Sequence, residues 1–145
     1  MPLDESSSEL CHALARAFCV VGGWESVINN AKLLDIDVAL SRCAAFANIS
    51  DSERHTILKD AAAVIKREGM EGMGNAMEVV GSQHGREMLE VMLQLLMTWE
   101  TCLPDKKQLM WHLNTDVGVT MDEYYAMWQR IANAPRKTFA NSQQK

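Results

Sequence analysis

Residues 88–99 read Met-Leu-Glu-Val-Met-Leu-Gln-Leu-Leu-Met-Thr-Trp, and within them the polar residues Glu90, Gln94 and Thr98 recur at every fourth position between large apolar ones. On a helix of 3.6 residues per turn this spacing leaves one thin polar stripe and apolar surface on every other side. Such a helix must be wrapped by others, so the segment predicts the buried central helix, about 84–100, of an all-α bundle. Twelve residues with Glu90 inside them fall well short of the ~20 apolar residues that a bilayer span requires.

The flanking sequence supplies further helices. Ser6 and Glu9 form a capping box ahead of Leu10, Cys11, Leu14, Ala17, Phe18 and Val21, an apolar face that stops at Gly22-Gly23 and predicts a helix over about 7–21. Trp24, Val27, Ile28, Ala31 and Leu34 suggest a short second helix, with Asp35 or Asp37 capping a third from Val38 to Ala47. Ser50 and Glu53 make the clearest box, followed by Ile57, Leu58, Ala61, Val64 and Ile65 and closed by Gly69. Pro104 opens a helix bearing Leu109 to Leu113, and Thr120 with Glu123 opens a last one that ends before Pro135. From Gly69 to Gly85 lie five of the eight glycines and three methionines, which predicts either a mobile connector or a short helix around Asn75 to Val80 between flexible ends. Strand patterns are absent. The whole describes one domain of about six to seven helices over residues 1–135, with a frayed tail over 136–145.

Composition narrows the function. A net charge of −5 with no basic run longer than Lys106-Lys107 or Arg136-Lys137 disfavours direct nucleic-acid binding. Four cysteines at 11, 19, 43 and 102 show neither zinc spacing nor the density of a secreted scaffold, and the acidic start Met1 to Leu10 is unlike a signal peptide. They read as small core hydrophobes of a reduced, cytoplasmic chain. Histidines at 12, 55, 84 and 112 are scattered, without an i, i+4 pair. Asp35-Ile36-Asp37 and Asp51-Ser52-Glu53 read as helix N-terminal acids that favour the dipole. Ser82 lacks the glycine spacing of a nucleophile elbow and reads as a cap. Neither a catalytic set nor a cofactor motif emerges, so an enzyme is not expected.

Two hairpins share an order: Cys43 to Glu53 and Met97 to Lys107 each carry an apolar helix end, a short connector and a polar helix start, with Ile49 matching Leu103 and Asp51 matching Asp105. Over about 37–133 this resembles the TerB-like helical family, first named from tellurite resistance, whose hairpins carry Asp-Gly, Ile or Leu, Ser and Glu after an alanine-rich helix. Ile49, Ser50 and Glu53 fit, as do Leu103 and Pro104; Phe46-Ala47 and Lys107 depart from the pattern, and most of the acidic signature is missing. The resemblance implies a helical fold and, through Glu53, Glu100, Asp51 and Asp105, a metal-associated stress-response module as the alternative function.

The leading expectation is a non-enzymatic protein that binds another protein or a second copy of itself, as an adaptor or an inhibitor in the manner of phage-encoded antagonists with acidic surfaces. Met70, Met73 and Met77 offer adaptable thioethers, although core filling is their competing role. Adjacent Tyr124 and Tyr125 cannot both face inward on one helix, so one is available for contact, and Glu123 joins Glu68, Glu71 and Glu78 in an acidic rim.

Overall fold

Residues 5–23, 30–99 and 113–133 are described by a computed structural model. Their order is α1 (Glu5–Gly23), α2 (Asn30–Ser41), a 3₁₀ turn at Ala44–Phe46, α3 (Asp51–Glu68), a second 3₁₀ turn at Gly69–Met73, α4 (Ala76–Trp99), a helical turn at 113–116, and α5 (Met121–Asn133). There is no strand among the described residues, and the chain is an all-α bundle with one core. The sequence expectations for Trp24 to Asn29, the Pro104 helix and the tail lie outside the described residues.

The central element behaves as its pattern dictates. Met88, Leu89, Val91, Met92, Leu93 and Leu95 of α4 are all buried, while Glu90 and Gln94 occupy the half-buried stripe between them. The sequence did not single out the second buried rod. In α1 every residue from Cys11 to Val21 is buried except His12 and Arg16, which are half-buried, so this helix too is enclosed, lying against both α3 and α4. Small side chains at Ala13, Ala15 and Ala17 allow that close approach.

Caps set the register of the outer helices. Ser50 Oγ accepts the Glu53 N–H at 3.1 Å and starts α3. At α5 the box closes both ways: Thr120 Oγ1 accepts from Glu123 N–H (3.2 Å), and Glu123 Oε1 accepts from Thr120 N–H (3.1 Å). These bonds hold the Glu123 carboxyl below its ordinary value. Glu87 accepts the Ala44 N–H at 3.1 Å, which ties the first 3₁₀ turn to α4.

Two expectations are corrected. Asp35 and Asp37 do not cap a third helix; α2 runs unbroken from Asn30 to Ser41, with both acids buried in mid-helix. No helix breaker lies between those residues, and a buried partner for Asp37, described below, makes its inward position tenable. The glycine-rich stretch is helical on both sides of Gly74-Asn75, because Met73, Ala76, Met77 and Val80 anchor it in the core. Gly81 alone breaks the helical path inside α4, with φ +64° and ψ −179°, a conformation that glycine adopts without a Cβ penalty.

Cys11, Cys19 and Cys43 are buried and unlinked. Burial pushes their thiols up from an ordinary 9.0 to about 11 for Cys11, with Glu53 adding to the shift, and to about 12 for Cys19 and Cys43, with Glu87 and then Cys11 adding at Cys43. A raised folded value means that the unfolded chain ionises first, so these thiols oppose folding only as pH rises above about 9. Ellman's reagent at pH 8 followed by mass spectrometry should leave all three unmodified in the native chain and modify them after denaturation; rapid native labelling of any one would contradict the packing.

A closer contact joins α4 to the turn before α5. A Cβ placed on Gly85 would stand 2.4 Å from the Cβ of Val117, an overlap that no side-chain rotation relieves. Gly85→Ala should therefore lower stability by about 1–3 kcal/mol, read as a lower denaturant midpoint. An unchanged midpoint would show that the junction yields freely.

Candidate functional site

Arg54 falls in phase with the apolar face of α3, one turn before Ile57 and Leu58, and it is only 9 % exposed. A guanidinium so placed requires a carboxylate, and α2 provides one. Arg54 Nε donates to Asp37 Oδ1 at 2.9 Å and Nη2 to Asp37 Oδ2 at 3.1 Å, a two-pronged pair with Asp37 at 7 % exposure. Nη1 donates to the solvated Asp51 at 2.9 Å. The bonds to Asp37 hold the Arg54 guanidinium further above its already high ordinary value, against the effect of burial.

His55 extends the network. Its Nε2 lies 2.9 Å from Asp37 Oδ2, and since an ionised carboxylate only accepts, Nε2 is the nitrogen that donates in this contact. The ring itself is about half exposed. Asp37, His55 and Lys59 form the polar part of a cleft of about 300 Å³ between α2 and α3, whose apolar part is Leu33, Leu34 and Leu58. This constellation joins acids, a base and a histidine that sequence reading kept apart. The signal was Arg54 itself, a charge at a core position of an otherwise regular apolar stripe.

A second feature lies on α5. Met121, Tyr125 and Trp128 are 42 %, 54 % and 39 % exposed and recur at i, i+4 and i+7, so they form one continuous apolar stripe in solvent. Tyr124, Met127 and Ile131 occupy the neighbouring face and pack against the core. The two tyrosines thus divide as their adjacency requires, Tyr124 half-buried and Tyr125 outward, with ring centroids 6.2 Å apart. Burial raises the Tyr124 phenol, with Tyr125 adding to it.

The remaining sequence candidates are placed differently. Met73 and Met77 are each 7 % exposed and belong to the core, so their expected role as surface thioethers gives way to core filling; the Met70 side chain lies outside the described residues. Glu123 is engaged by Thr120 and by Arg86, and Glu68 by Arg67 at 2.8 Å, so the expected acidic rim is partly neutralised. Of the acids that the family resemblance implies for a metal, Asp51 is held by Arg54, Glu53 is exposed in the first turn of α3, and Glu100 and Asp105 lie outside the described residues. Among the described residues no group of three His, Cys, Asp or Glu is arranged to hold a metal ion, and no helix is long and apolar enough to cross a membrane. Comparison with protein-family models, with curated proteins and with solved structures finds no match to this chain.

The energetic weight of the buried pair is testable. Asp37→Ala strands a buried guanidinium with only Asp51 to answer it and should cost about 3 kcal/mol, whereas the apolar double replacement Asp37→Leu with Arg54→Met should recover most of that loss. Urea unfolding of the single and double variants reads both outcomes; a double variant as unstable as the single would refute a desolvation-dominated pair.

Proposed function

We propose that the protein acts by binding another protein through the outward stripe of α5, as an adaptor or inhibitor rather than as an enzyme. The observation that carries this reading is the register of Met121, Tyr125 and Trp128 on one solvent-facing line of a helix whose other side packs on the core through Tyr124, Met127 and Ile131. Tyrosine and tryptophan supply large, stiff contact area, and they dominate the energetic centres of interfaces. Asp122 lies beside the stripe, exposed, at the start of the helix. With a net charge of −5 on the chain, it favours a partner whose matching surface is basic around an apolar centre.

A cytoplasmic setting belongs to the same proposal, supported by three buried thiols that carry no cross-link. The partner-binding residues carried forward from the sequence are Tyr125 foremost and Tyr124 as its supporting neighbour, with Met121 and Trp128 added by the geometry.

Affinity capture with the tagged full chain from its host should recover a partner that the double variant Tyr125→Ala, Trp128→Ala binds at least about tenfold more weakly, the scale of a central aromatic contact. Circular dichroism should be unchanged, and the distant exposed control Lys66→Ala should capture normally. Equal capture by the double variant would remove α5 from the reading.

A further inference from the structure

The cleft between α2 and α3 is independent of the α5 stripe, and its chemistry is more specific. Leu33, Leu34 and Leu58 line it, and Leu34 is 53 % exposed. Its polar side is already partly committed. Three contacts already fall on the Asp37 carboxylate, one on Oδ1 from Arg54 and two on Oδ2 from Arg54 and His55, which leaves little of it for an incoming cation, and Arg54, shared with Asp51, offsets part of its charge. Lys59, one turn beyond His55 on α3, makes no ion pair among the described residues and lines the same cleft. Asp51, the other acid on Arg54, is not part of the lining. The cleft therefore presents a positive ammonium over a leucine surface, on a chain that is acidic as a whole.

We propose that the α2–α3 cleft binds a small apolar monocarboxylate, its hydrocarbon against Leu33, Leu34 and Leu58 and its carboxylate on Lys59. A volume of about 300 Å³ stands at the lower end of the range of small-molecule sites, which suits a short aliphatic acid and is small for a nucleotide. Charge selects the sign of the head group: an ammonium in its place meets Lys59 as a like charge and finds Asp37 already engaged by Arg54 and His55. The buried Asp37–Arg54 pair gives the polar wall its stiffness, and through Asp37 it fixes the His55 ring beside the head-group position.

Titration of the full chain, carrying ¹³C-labelled leucine methyls, with sodium octanoate tests this directly. Saturable shifts of the Leu33, Leu34 and Leu58 methyls are expected, octylammonium producing none. Lys59→Gln should weaken octanoate binding about tenfold, the loss of one charge-assisted contact. Leu34→Ser, at an exposed position that does not threaten folding, should weaken it as well. Absence of saturable shifts, equal response to octylammonium, or unchanged affinity in Lys59→Gln would overturn the proposal. So would binding of an acidic leucine-containing peptide by a cleft that ignores octanoate, which would instead assign the groove to a protein partner.

Discussion

Two helices of this chain have almost no surface suited to water. The second half of α1 and the second half of α4 are apolar on nearly all sides, and neither is stable unless other helices enclose it. That requirement determines the architecture: α3 lies against α1, α5 against α4, and α2 meets α1, α3 and α4 together. The outer helices can then carry polar faces. Leu34 on α2, His55 and Lys59 on α3, and Tyr125 and Trp128 on α5 all belong to these outer helices.

Against that apolar interior the Asp37–Arg54 pair stands out. A buried ion pair gains little over a well-packed hydrophobic substitute, since the attraction between its charges is spent largely on stripping their water. What it does supply is geometry. The two-pronged contact fixes α2 relative to the first turn of α3, and it orients His55 through the same carboxylate. The cleft beside it shares in that order: Leu58 of its apolar wall belongs to the core, and Asp37 and His55 of its polar wall belong to the ion network.

The sequence disclosed the fold well where one signal prevailed. Period-four polar positions at Glu90 and Gln94 located the central helix, and the Ser50 and Thr120 caps located the starts of α3 and α5. Misreadings came where two signals competed. Asp35 and Asp37 have the residue type of caps, yet a partner 17 residues away, invisible to local pattern, turns Asp37 inward. Glycines around Met73 and Met77 left a connector and a short helix both open, and burial of the methionines goes with the helix. For the site the balance is similar. The division between Tyr124 and Tyr125 follows from helical phase alone, whereas the meeting of Asp37 with His55 is a tertiary event, hinted at only by Arg54 lying in step with Ile57, Leu58 and Ala61.

The absent side chain at Gly85 reaches further than local packing. Val117 seats against that bare backbone, and the turn that follows, closed by the Val119 N–H donating to the Asn114 carbonyl at 2.8 Å, leads within a few residues into the capped start of α5. Arg130 then ties the far end of α5 to Glu90 on α4. A helix clamped at both ends has little disorder left to surrender, so in the binding role proposed for α5 the entropic toll of complex formation would fall mainly on the visitor. Recognition of that kind would approach the meeting of two finished shapes, in which speed is governed by diffusion and charge, and persistence by the quality of fit.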